Sequence, residues 1–262
     1  MKCPICGRES WRRILAGANF SIEECSAGCI ARTVPTPQFV PDFPDDASLE
    51  KLRDDRDWGH FWLASEILDL AGKSRPCGRL LDVGSGWGHL LKLAADRGYE
   101  VVGLEASPKV AELCHQAFGV DVIVGSFPEY EFESNTFDVM VMSHILEHLA
   151  DPVRALSEGR RILKPGGLLI VCGPNFRSLM SRVQRDRWVG LQPDQHTWQL
   201  SVKSVWRMVG ASGLTPFTVC HRHFDPGRGP RSLPKHVVRR AAYGIAELLG
   251  MGENMIVLAR KA

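Results

Sequence analysis

The segment that most constrains the fold of this chain is Leu80-Leu81-Asp82-Val83-Gly84-Ser85-Gly86-Trp87-Gly88, an apolar run that enters a glycine-rich turn and then a helix beginning near His89. Glycines in such a turn permit positive φ and let a ligand approach the backbone without meeting a β-carbon. The helix start behind them offers unpaired N–H groups. The turn opens a β/α alternation. Short apolar runs at 79–83, 100–104, 120–124, 137–142 and 168–172 read as strands, with helices at 88–96, 108–117 and 152–163 between them. Asp151 is placed to cap the last helix, Pro152 fits its first position, and Lys164-Pro165-Gly166-Gly167 is expected to stop it. Two further strands are expected at 214–220 and 254–259. Alternation of this kind predicts a parallel α/β sheet covered by helices on both faces.

Glu105 stands twenty-one positions after Gly84, at the end of the second strand of that series. A carboxylate there can accept hydrogen bonds from both hydroxyls of a ribose, which fits an adenosine cofactor. A dinucleotide fold requires G-x-G-x-x-G, but here the third glycine is Gly88 and His89 occupies the longer spacing. Asp82, two residues before the first glycine, suits an amino-acid ammonium and would face badly toward a pyrophosphate. S-adenosylmethionine is therefore favoured over NAD.

With these motifs in place, residues 50–260 resemble the class I S-adenosylmethionine-dependent methyltransferases of small-molecule type. Asp82 to Gly88 is similar to the family's first motif, Glu105 to its ribose-binding acid, and Asn135-Thr136-Phe137-Asp138-Val139-Met140 to its fourth strand. His144-Ile145-Leu146-Glu147-His148-Leu149-Ala150-Asp151-Pro152 and Arg160-Arg161-Ile162-Leu163-Lys164-Pro165-Gly166-Gly167 are similar to a further pair of family segments. The resemblance implies a Rossmann-like sheet of seven strands, six parallel and the last antiparallel, with cofactor and substrate over the carboxyl ends. It also implies a cofactor site of Asp82, Gly84, Ser85, Gly86, Gly88, Glu105, Ala106, Ser126, Phe127 and Ser143. Ser126 stands where an acid is common in the family, so a backbone amide is expected to meet the adenine amino group. Ser143 and His144 would lie beside the transferred methyl.

The eight cysteines divide unevenly: Cys3, Cys6, Cys25 and Cys29 crowd the start, and the other four are scattered through apolar contexts that read as core. Two close pairs with a spacer between them match tetrahedral thiolate coordination, so residues 1–33 are expected to form a small zinc-ribbon-like module with structural Zn²⁺. Four thiolates leave no open position for water. A similar Cys-rich head precedes bacterial methyltransferase cores, and it resembles the zinc-bearing head of some ribosomal RNA methyltransferases. A proline-rich stretch, 34–48, reads as a linker to a domain at 49–262, whose first helix is expected over 49–71.

For a hydroxyl acceptor the natural proton-accepting groups are histidines. His144 and His196 are the candidates, His196 as the one facing substrate; His148, beside Glu147, reads as holding a helix start. No acidic cluster suited to metal-dependent transfer stands out, and no Asp/Asn-Pro-Pro-Tyr run follows the fourth strand, which disfavours amino groups of bases. Between the last two strands, residues 222–252 form an expected lid insertion carrying Arg222, His223, Arg228, Arg231, Lys235, His236, Arg239 and Arg240. Such a run can steer phosphate-bearing substrates, meet RNA, or rest against an anionic membrane.

Apolar residues at 44% and charged residues at 24% exclude disorder, collagen-like repeats and coiled coil, and a net charge of +2 does not suggest a nucleic-acid scaffold. No apolar run approaches the roughly 18 residues of a membrane span, and the first residues lack the apolar stretch of a signal peptide, so a cytoplasmic protein is expected. The leading expectation is methyl transfer to a hydroxyl of a sugar-, lipid- or quinone-type metabolite. RNA methylation is the alternative, and a non-catalytic cofactor-binding or zinc interaction module is a third. Oligomeric state carries no sequence signal.

Overall fold

The computed structural model describes residues 1–38, 59–222 and 244–262. Most of the expected linker and lid therefore lie outside the described residues. No helix among the described residues is long and apolar enough to cross a membrane.

Three strands open the chain: β1 (Trp11–Ala16), β2 (Ser21–Cys25) and β3 (Ala31–Val34). Helix α1 (Gly59–Ser74) precedes the alternating part, which runs β4 (Arg79–Val83), α2 (His89–Asp96), β5 (Glu100–Glu105), α3 (Pro108–Phe118), β6 (Val122–Val124), β7 (Phe137–Ser143), α4 (Pro152–Ile162) and β8 (Leu163–Pro174). Then follow α5 (Leu179–Gln184), β9 (Trp198–Gln199), α6 (Val202–Ala211), β10 (Thr215–Arg222) and β11 (Asn254–Arg260). The large sheet has the order β10-β11-β8-β7-β4-β5-β6, with β11 antiparallel to both neighbours and the remaining pairs parallel.

The strands of this sheet bury both faces, which is why they read as continuous apolar runs. Alternate residues divide between two cores. Leu81, Val83, Met140, Met142, Leu169 and Val171 pack with Ala155 and Leu156 of α4 and Val205, Met208 and Val209 of α6. Leu80, Val139, Val141, Leu168, Ile170 and Cys172 pack with Leu63, Ala64, Ile67 and Leu68 of α1 and with Leu90 and Ala94 of α2. Helices thus cover both faces. Asp151 caps α4 by accepting from Arg154 N at 2.9 Å, with Pro152 at the first helical position. The Lys164–Gly167 run does not end a helix before a loop, as expected; α4 has already stopped at Ile162, and the run lies inside β8. The pairing advances from Phe137↔Leu163 to Val139↔Leu168, so the extra residues are absorbed as an irregularity in the ladder.

The head is not a free-standing ribbon. Its sheet has the order β1-β2-β3-β9, and β9 comes from the far part of the chain, with Ala31↔Gln199 and Arg32↔Trp198 in register. Thr33, 1% exposed, donates its hydroxyl to His196 O at 2.6 Å and accepts from Gln199 Nε2 at 3.2 Å. Trp11 lies against Trp198, and Arg177 pairs with Glu24 across the same seam. Thr33→Val leaves these buried partners without their hydroxyl. It should cost about 1–3 kcal/mol, read as a lower urea midpoint with an unchanged slope.

Candidate functional site

The site is assembled at the carboxyl ends of β4, β5 and β7. Gly84 N and Ser85 N both donate to Leu104 O, at 2.7 and 3.1 Å, so the glycine turn is laid against the end of β5. Glu105 completes the join. Its Oε2 accepts from Gly86 N at 3.0 Å and its Oε1 from Ser107 N at 3.0 Å, fixing the carboxylate between the two turns. Gly84, Gly86 and Gly88 have φ of +66°, +51° and +79°. A β-carbon at Gly84 would overlap Ile145 Cδ1 and one at Gly88 would overlap Cys114 Sγ, whereas one at Gly86 would meet nothing within 4 Å. The backbone at Gly86 thus borders open space next to a fixed carboxylate, the shape a ribose-bearing ligand requires. Ser85 Oγ is buried without a partner at the same turn.

Asp82 is 3% exposed. Burial, with the Glu105 carboxylate adding to it, pushes its pKa up to about 8. Ala106 and Ser126 are exposed, while Phe127 is buried; Gly125 N donates to Glu105 O at 2.9 Å, which brings the 125–127 turn beside the same carboxylate strand end. Ser143, partly buried, ends β7, and His144 follows with φ +56° and its N–H on Cys172 O at 2.9 Å. The cofactor residues anticipated from the sequence are therefore brought to one edge of the sheet.

The histidines are arranged differently from the sequence expectation. His196 is 3% exposed, so it is the more enclosed of the two candidates; the His144 side chain is 42% exposed. They meet through Glu147, which is fully buried. His144 Nδ1 lies 3.5 Å from Glu147 Oε1. Partial desolvation draws the His144 pKa down, but the neighbouring Cys172 and Glu147 side chains, with the carboxylate's charge, outweigh it and lift the group to about 10. Burial likewise opposes ionisation of Glu147, yet His144 holds its pKa below the usual value. Burial lowers His196 to about 4, so its ring is neutral at physiological pH. His148 and His196 rings stack edge to face at 4.8 Å. The sequence places Glu147 only beside His148 at a helix start, because its enclosure depends on a distant loop; the run His144-x-x-Glu147-His148 is the available signal.

In the head, the four thiols of Cys3, Cys6, Cys25 and Cys29 lie within 4.8 Å of one another, three of them buried. Cys6 Sγ and Cys25 Sγ are 3.6 Å apart, too far for a disulfide and near the roughly 3.8 Å expected of thiolates tetrahedral about zinc at ~2.3 Å. Arg207 Nη1, on α6, donates to Cys29 Sγ at 3.7 Å. The donor set fits zinc.

This is the fold of class I S-adenosylmethionine-dependent methyltransferases. Residues 81–171 match the family described as a methyltransferase domain. A ubiquinone biosynthesis O-methyltransferase from Cereibacter sphaeroides is 32% identical over 159 residues, which cover 56% of this chain and 64% of that protein. A demethylmenaquinone methyltransferase from Renibacterium salmoninarum is 34% identical over 106 residues, 40% of this chain and 44% of that protein. The chain thus spans less than two thirds of the length of these curated relatives. Among solved structures, a methyltransferase from Thermotoga maritima described as a possible histamine N-methyltransferase superposes with a TM-score of 0.61 at 21% identity, covering 82% of this chain and 96% of that one.

The raised pKa of Asp82 sets a pH dependence. Between the unfolded value near 3.8 and the folded value of about 8, the native ligand-free protein holds a proton the unfolded chain has lost, so stability falls as pH rises through that window. Asp82→Asn should flatten this slope in urea titrations run from pH 5 to 8.

Proposed function

We propose that this chain is an S-adenosylmethionine-dependent methyltransferase acting on a small molecule, at a hydroxyl of a quinone-, sugar- or lipid-type metabolite. The observation that carries the reading is the Glu105 carboxylate fixed between Gly86 N and Ser107 N, beside backbone that borders open space. When bound, the cofactor supplies a sulfonium methyl whose transfer needs alignment with a nucleophile in a site shielded from water. Glu105 has lone pairs left for the ribose hydroxyls, and Asp82 suits the ammonium. Gly86 leaves the backbone accessible, Gly84, Ser85 and Gly88 shape the turn around it, and Ala106, Ser126 and Phe127 flank the adenine. Ser143 lies beside the methionine portion. At neutral pH His144 brings positive charge to the acceptor side, with the buried neutral ring of His196 behind it near the Glu147 carboxylate.

The quinone-type relatives support a small acceptor. The basic run that favoured RNA lies outside the described residues except for Arg222, whose Nε is paired with Glu66 Oε2 at 2.7 Å. Zinc on Cys3, Cys6, Cys25 and Cys29 would hold the head and, through β3 and β9, the loop that carries His196.

The test uses methyl-labelled S-adenosylmethionine with hydroxylated quinols, nucleotide sugars, lipid extracts and total RNA as acceptors. Label is expected in the organic or small-molecule fractions, and Glu105→Ala should lower kcat/KM about 10²-fold, the equivalent of losing one or two charge-assisted hydrogen bonds. Label confined to RNA, or cofactor binding with no transfer to any acceptor, would overturn the reading.

A further inference from the structure

Glu147 presents an unusual electrostatic problem. It is a fully buried carboxylate, and neither Oε1 nor Oε2 has a hydrogen-bond partner. His144 Nδ1 stands 3.5 Å from Oε1 and leaves Oε2 unanswered. Buried carboxylates are ordinarily paired, hydrogen-bonded or bound to metal. Two imidazoles face the same place. The ligand atoms of Glu147, His148 and His196 all lie within 4.8 Å of one another.

Both imidazoles are anchored to backbone. His148 Nδ1 lies 3.0 Å from Gln195 O; a carbonyl only accepts, so Nδ1 carries a proton there. In His196 the buried Nδ1 has no hydrogen-bond partner, and the ring is hydrogen-bonded to the Gly190 backbone. An imidazole held by a backbone carbonyl at one nitrogen is the arrangement seen around bound metals. The loop that brings His196 is itself fixed: Trp198 N donates to Glu147 O at 3.0 Å, Trp198 Nε1 to Leu149 O at 2.8 Å, and Thr33 to His196 O.

We propose that Glu147, His148 and His196 form a cation site, separate from the four cysteines, for a divalent first-row transition metal of the manganese-to-zinc series. Two imidazoles and a carboxylate suit these ions and exclude a purely oxygen-seeking preference for calcium or magnesium. Ligands at ~2.0–2.2 Å from a metal stand about 3–3.5 Å apart, so the ion would draw the three side chains together by an ångström or so. Three protein ligands leave positions for oxygen from solvent or substrate. The ion would neutralise Glu147 and bolt the loop after β7 to the loop before β9. This site does not depend on the methyl-transfer reading.

The experiment is reconstitution of the full chain with Co²⁺ after chelation, read by metal content and visible absorption. The wild type is expected to take up two equivalents, one with an intense thiolate charge-transfer band and one with the weak bands of nitrogen and oxygen ligands. Glu147→Gln and His196→Gln should each lose only the second, and Cys3→Ser only the first. S-adenosylhomocysteine binding and the urea midpoint show that the variants are folded. A single equivalent with a purely thiolate spectrum in the wild type would overturn the proposal whatever the variants do. So would a second equivalent that survives both substitutions in folded protein. Loss of cofactor binding with two equivalents retained would count against the methyl-transfer reading alone.

Discussion

The Glu105 carboxylate is the constraint on which the rest of the site depends. A charged group at the end of a strand would ordinarily be solvated and mobile, but here each oxygen is taken by a backbone N–H, Gly86 on one turn and Ser107 on the next. Those two bonds, with Gly84 and Ser85 on Leu104 O, turn the mouths of β4 and β5 into one rigid rim. Ile145, packed over Gly84, extends the rim to the loop after β7. Preorganisation of this kind means the ligand-facing groups are ordered before anything binds, so ordering them is not charged against affinity.

A second join fixes the loop that carries His196. The cysteine-bearing head pairs edge to edge with β9, and Thr33 ties directly to the carbonyl of His196. Ordering of the head is thereby transmitted to residues that also surround Glu147. The physical link is short: one strand pairing, one hydroxyl and the backbone of residues 196–199. It explains why a small thiolate cluster and an α/β sheet occur together as one structure rather than as two beads on a string.

Much of the fold was legible because the central strands are buried on both faces. Runs such as Leu80 to Val83 and Val139 to Met142 carry that requirement in every residue, and glycines, Asp151 and Pro152 punctuate them. Positions set by local chemistry were legible too: the glycine turn, Glu105 at its spacing, and four cysteines in two pairs. Features that depend on long-range pairing were not. β9 is two residues long and pairs with a strand more than 160 residues earlier, with Gln199 reaching Thr33 across that separation, so no local pattern marks it. The early start of β8 was hidden because Lys164 to Gly167 looks like a terminator, although an irregular ladder can accommodate it. Glu147 looked like a helix-start partner of His148; its burial, and the approach of His196, follow from how the 192–198 loop folds over it.

The most direct test of the account is hydrogen–deuterium exchange of the full chain with and without S-adenosylhomocysteine, with NADH as a comparison ligand. The account predicts slowed exchange at 83–88, 105–107, 125–128 and 143–145 with S-adenosylhomocysteine and no change with NADH. Protection by NADH at the glycine turn, or no protection at any of these segments with S-adenosylhomocysteine, would contradict it.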